Sequence, residues 1–209
     1  MKNLISLLAL TIWAAAALVG QAIAQEQMFP ALYSVTGVQL NDTLNVREGP
    51  GATFAVIREL APSAVDVEVI ALSDDTNWGL ISLPEAHGWV SMHYLARQFN
   101  PVDDALPLQF SCYGTEPSWF LKLGPQNAEF NRFGGETEFV SRIWEDRAAG
   151  MGPYLYGMVL KSNTATIHAS FSRSICSDGM SDTLYGLSTN VFHSTANGTT
   201  LYTGCCSIR

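Results

Sequence analysis

Two adjacent cysteines near the end of the chain, Cys205 and Cys206, constrain its fold more than any other feature of the sequence. A disulfide wants its two Cα atoms about 5.5 Å apart, and neighbouring residues meet that geometry only under strain. The remaining cysteines are Cys112 and Cys176, so one of the adjacent pair is expected to bond Cys112 and the other Cys176. Which goes to which stays open. All four lie in the second half of the chain, and their even number reads as disulfides rather than reactive thiols, provided the chain is exported.

The first residues supply that condition. A single charge at Lys2 precedes an apolar run over residues 4–20, broken only by Ser6 and Thr11, which closes on Gln21-Ala-Ile-Ala-Gln25. Charged, apolar and small-residue segments in that order predict a secretory signal peptide over residues 1–24, cleaved after Ala24. The alternative, a retained anchor, needs roughly 20 spanning residues, which this run falls short of. No cysteine stands near the cleavage point to take a lipid. Cleavage removes only Lys2 among the charged residues, leaving the chain one charge more acidic than its formal −8. An acidic chain without clustered Lys and Arg is a poor partner for nucleic acid and for anionic lipid. No stable membrane insertion is expected after cleavage.

Residues 31–97 carry short strand patterns joined by turns. Tyr33-Ser-Val-Thr-Gly-Val38, Leu44-Asn-Val-Arg47, Ala55-Val-Ile-Arg-Glu-Leu60 and Val65-Asp-Val-Glu-Val-Ile-Ala-Leu72 come first. The last alternates apolar and acidic residues, the mark of a half-buried strand. Trp78-Gly-Leu-Ile-Ser-Leu83 and Gly88-Trp-Val-Ser91 complete a set that predicts a small barrel. Three segments here carry a resemblance: Leu44-Asn-Val-Arg-Glu-Gly-Pro-Gly51, Asn77-Trp-Gly-Leu-Ile81 and His87-Gly-Trp-Val-Ser-Met-His-Tyr-Leu95. In order and spacing they resemble the bacterial SH3 (SH3b) domain. The resemblance implies an SH3-like barrel, and members of several SH3b families bind wall peptides. Leu44, Val46, Val56, Ile57, Leu60, Val67, Val69 and Val90 are the expected core, with Trp89 packed among them. Trp78, at a strand start, suits stacking on a sugar or peptide at the rim, and Tyr94 is a second aromatic candidate.

Residues 98–108, with Pro101, Asp103, Asp104 and Pro107, read as a linker. From 109 to 209 further strand patterns follow, at Glu129-Phe-Asn-Arg-Phe133, residues 137–144, residues 154–160, Ala165-Thr-Ile-His-Ala-Ser-Phe171, residues 184–192 and residues 199–202. None shows a sustained helical period. The fold class is therefore all-β: a small SH3-like barrel, then a disulfide-bonded antiparallel barrel or sandwich. Cys112-Tyr-Gly-Thr-Glu-Pro-Ser-Trp119, Cys176-Ser-Asp-Gly-Met-Ser-Asp182 and Leu201-Tyr-Thr-Gly-Cys-Cys206 resemble the motifs of a family of bacterial envelope proteins without an assigned activity. Ser118 stands where that family usually has an aromatic and Thr183 where it often has a basic residue. By analogy the domain is calycin-like.

Glu116, Asp178 and Asp182 are the acidic candidates in these motifs, with Trp119 a candidate ligand contact. Two carboxylates can hydrolyse a glycan when held about 5 to 9 Å apart, but no spacing rule connects these. Asp178-Gly179 and Glu116-Pro117 equally make turns. Cys176 with His168 or His193 is the only thiol–imidazole pairing to weigh, and oxidation is expected to remove that thiol. No Gly-x-Ser-x-Gly elbow, paired zinc spacing, EF-hand loop or phosphate loop occurs, so no cofactor is expected. The leading expectation is a non-enzymatic, periplasmic or secreted module that binds peptidoglycan or an envelope protein. Inhibition of a basic hydrolase such as lysozyme is the first alternative, and a cryptic wall hydrolase using Glu116 or Asp178 is the second.

Overall fold

The computed structural model describes residues 28–99 and 105–209. The expected signal peptide, and Pro101, Asp103 and Asp104 of the expected linker, lie outside them. The described chain is all-β, with two 3-10 turns, Met92–Tyr94 and Gly152–Tyr154, as its only helical pieces.

Seven strands come first: β1 (Ala31–Val35), β2 (Leu44–Arg47), β3 (Val56–Leu60), β4 (Val67–Leu72), β5 (Trp78–Leu83), β6 (Ala86–Ser91) and β7 (Leu95–Arg97). They form one antiparallel sheet in the order β3-β2-β6-β5-β4-β1-β7. Alternate residues meet on one face in a core that includes Tyr33, Val46, Val69, Ile81 and Val90, the segregation that a two-residue period produces. Three core expectations fail. Val56 and Ile57 are 44% and 38% exposed, because β3 ends the sheet and has a neighbour on one side only. Trp89 is half-buried, since its buried neighbours Gly88 and Val90 take the inward positions of β6 and turn it to the other face.

The remaining strands are β8 (Phe110–Thr115), β9 (Ser118–Leu123), β10 (Asn127–Arg132), β11 (Glu138–Arg147), β12 (Leu155–Lys161), β13 (Ala165–Ser177), β14 (Leu184–Thr195) and β15 (Gly198–Ser207). They close into an antiparallel barrel in which β8 lies between β15 and β9. Of the two architectures left open by the sequence, the closed barrel is the one formed. Its interior is solid: Phe130, Phe171, Leu121, Met158, Leu160 and Ile167 are fully buried, with Phe110 edge-on to Phe171 at 5.1 Å. Leu106, from the segment read as linker, is buried in this core.

The cysteine pairing follows from register. Consecutive residues of a strand point to opposite faces. Cys206 faces Cys112 directly across the β15–β8 ladder and bonds it, with the Cα atoms 3.9 Å apart. Cys205 bonds Cys176 near the end of β13, at a Cα separation of 5.6 Å.

The two units touch. Glu68 of β4, 1% exposed, accepts hydrogen bonds from Ser207 Oγ at 2.5 Å and Ile208 N at 3.1 Å and pairs with Arg209 Nε at 3.3 Å. Burial pushes its carboxyl above the ordinary 4.5, outweighing these partners. The tip of the β13–β14 hairpin lies against the sheet: Thr183 Oγ1 donates to Leu83 O at 3.1 Å, Ser82 Oγ to Leu184 O, and His87 Nδ1 to Asp182 O at 2.7 Å. Arg173 spans the junction, donating to Phe29 O at 3.2 Å and to Ala105 O at 2.8 Å.

Candidate functional site

The expected rim aromatics come together. Trp78 and Tyr94 line one hollow of about 480 Å³ on the N-terminal sheet, with Asp42 and Arg47 in the same lining. The turn before β5 sets the tryptophan. Ser73 Oγ and the Asn77 side chain donate to Asp75 at 2.6 and 2.9 Å, and the backbone N of Trp78 donates to Ser73 Oγ at 3.0 Å. Those bonds, Ser73 first and then Asn77, hold the Asp75 carboxyl below its ordinary value, as hydrogen bonding to the charged form does. Arg47 donates through Nη1 to Phe54 O at 2.7 Å, which steadies its guanidinium beside the hollow. Two aromatic faces flanked by a cation and a carboxylate can hold an amphipathic ligand and orient it.

A second cleft, of about 580 Å³, opens on the barrel. The three motifs of the C-terminal half converge there. Tyr113 to Glu116 come from the first, Cys176 to Met180 from the second, and Thr203 and Gly204 from the third. Trp119 fixes the end of the first motif from inside: it is 4% exposed, packs on Phe130 and Tyr202, and donates through Nε1 to Thr203 O at 3.2 Å. Its indole occupies the space that side chains would take at Gly114 and Gly204. A Cβ on the former would stand 2.0 Å from Trp119 Nε1, and one on the latter 2.0 Å from Tyr113 O. Trp119 is thus a core residue whose bulk brings two backbone segments together beside the cleft, and it does not itself line that cleft.

Of the acidic candidates, Glu116 and Asp178 line this cleft together, whereas Asp182 does not. Asp182 instead offers its carbonyl to His87 at the junction with the sheet. Asp178 organises its own loop: Oδ1 accepts from Met180 N, Ser181 N and Ser181 Oγ at 3.0, 3.0 and 3.2 Å, and Oδ2 accepts from Ser181 Oγ at 3.1 Å. Burial raises its carboxyl, but the Ser181 and Met180 bonds outweigh it and hold the group below its ordinary value. The Thr115 hydroxyl, donating to Asp178 O at 3.1 Å, ties the first motif to the second. Burial and the Asp178 charge together push the nearby Tyr185 hydroxyl upward.

Three lining residues escaped the sequence reading: Ser188, Thr189 and Asn190 of β14. Thr189 is 3% exposed and its Oγ1 has no hydrogen-bond partner. On a strand, threonine is ordinary, so nothing in the sequence marks it. The thiol–imidazole pairing is closed, because Cys176 is in a disulfide. His193 is buried against Phe130 with Nε2 3.0 Å from Glu138 Oε2, while His168 is exposed. Among the described residues no group of three or more His, Cys, Asp or Glu is arranged to hold a metal ion, and no helix is long and apolar enough to cross a membrane. No protein-family model matches the chain, and the search of curated proteins found no match.

Proposed function

We propose that this chain is a non-enzymatic binding protein of the bacterial cell envelope, periplasmic or secreted, that holds peptidoglycan or an envelope protein at the hollow of Trp78 and Tyr94. The observation that carries the reading is the meeting of those two aromatics, from opposite ends of the second and third SH3b-like segments, with Arg47 and Asp42 in one concavity. Aromatic rings supply large contact area at little conformational cost, and the paired charges suit a peptide that bears both an amine and a carboxylate. Two disulfides fit an oxidising compartment.

Non-enzymatic action is supported by the role of Asp178, whose carboxyl is engaged by Met180 and Ser181 within its own 178–181 loop, as an aspartate that shapes a turn does. The binding reading is tested by co-sedimentation of the protein with purified peptidoglycan at moderate salt, with envelope extract as a parallel bait. Trp78→Ala with Tyr94→Ala is expected to lower the retained fraction about tenfold or more, in line with losing two aromatic anchors. Retention equal to the parent in the double variant, or no retention by either bait, overturns it.

A further inference from the structure

We infer that the two disulfides are unequal: Cys176–Cys205 is an exchangeable bond that a dithiol donor opens in the folded protein, and Cys112–Cys206 stays closed. The difference follows from two adjacent positions on one strand. Consecutive residues of β15 face opposite sides, so Cys206 takes its bridge inward and Cys205 takes its bridge outward. Cys206 and Cys112 are completely buried and belong to the barrel core. Cys205 stands in register with Ser188 and Tyr113 on the outer wall, where Tyr113 is exposed and Ser188 half-buried. Its partner Cys176 is half-buried and lines the cleft of about 580 Å³. Access decides which sulfur a thiolate attacks, and of the four cysteines only Cys176 is not buried.

A thiolate of the donor attacks Cys176 Sγ, forming a mixed disulfide and expelling Cys205 as a thiolate. The donor's second thiolate then attacks the donor sulfur of that mixed disulfide and releases Cys176. The donor ends oxidised by two electrons and the bridge reduced by two. The two protons shed by the donor's thiols end on Cys176 and Cys205. What opens is one wall of the cleft. The 178–183 tip after Cys176 is joined to β8 by the Thr115–Asp178 hydrogen bond, to the sheet through Asp182 and Thr183, and to β15 by this bridge. Reduction leaves that wall on hydrogen bonds alone, which open locally at low cost. Cys112–Cys206 meanwhile keeps β8 on β15, so the barrel remains closed. The thiol–disulfide balance around the protein thereby sets the rigidity of the cleft.

Incubation of the native full chain with graded dithiothreitol, followed by trapping with iodoacetamide and fragment-ion mass spectrometry, tests this. Labels are expected at Cys176 and Cys205 about tenfold or more faster than at Cys112 and Cys206, since access governs the exchange. Hydrogen exchange of the singly reduced protein should then rise over residues 177–184 and stay unchanged in β12. Cys176→Ser with Cys205→Ser should reproduce that pattern, and reduction of the parent reads the bond even where this variant fails to fold. Equal rates at both bridges, earlier labelling of Cys112 and Cys206, no labelling short of denaturation, or unchanged exchange over 177–184 overturns the inference.

Discussion

In the barrel every strand has two neighbours, whereas β3 and β7 of the N-terminal sheet have one each. The barrel buries its apolar residues against one another and adds two cross-links. The sheet leaves Val56 and Ile57 in solvent and buries a carboxylate, Glu68, whose partners all come from beyond β15's Cys206. A closed unit pairs every strand edge within itself. An open one of similar strand content borrows hydrogen bonds from its neighbour, and its stability is then partly a property of the junction. The same contrast separates the two concavities. One presents aromatic edges and both charges, and the other a braced, acidic wall.

The sharpest way to break this comparison is to remove bulk from each unit. Phe130→Ala in the barrel core is expected to cost about 3–5 kcal/mol, against no more than about 0.5 kcal/mol for Ile57→Ala on the open edge. Denaturant unfolding measures both, and similar costs would mean that the edge is covered in solution. Cys112→Ser with Cys206→Ser should cost about 2–5 kcal/mol. Hydrogen exchange should place the loss in barrel amides and spare those of β2. The next contrast is in pH. The Glu68 carboxyl is raised above 4.5 in the folded chain, so the stability it contributes is complete below that value and is lost as pH rises through the folded one. Asp178 is depressed below 3.8, so its contribution is present above that value and is lost as pH falls. Glu68→Gln should flatten the first slope of a stability–pH curve and Asp178→Asn the second; unchanged slopes would deny both assignments. Thr189→Val is expected to raise the stability of the protein by about 1 kcal/mol, because it removes an unsatisfied buried hydroxyl. A loss would show that the hydroxyl is already bonded.

Strand character was legible because alternation is a local property. Leu44, Val46, Val67, Val69 and Val90 are buried as expected. What depends on neighbours was not. Nothing in Ala55-Val-Ile-Arg-Glu-Leu60 says that β3 ends a sheet. Glu68 reads as the solvent face of a half-buried strand, and it is buried because a different unit covers that face. β13 runs on past Phe171 to Ser177 through an irregularity between Arg173 and Cys176, which carries Cys176 to Cys205. The cysteine partners were readable as a set but their assignment needed that register. In the same way Glu116 and Asp178 stood out singly. Their meeting required the fold, since residues so distant in sequence share no period, and Trp119 changed from a contact to a buried prop once Gly114 and Gly204 were seen beside it.

The Cys112–Cys206 bridge spans 94 residues and so has a mechanical meaning. A pull applied to the two sides of the barrel, through the sheet and through the residues after Ser207, enters at Cys112 and leaves at Cys206 across a single covalent link. Tension bypasses nearly everything between them. Under load the barrel can neither unravel nor lengthen the molecule by its own contour, and any yielding falls to the sheet and to the junction around Glu68.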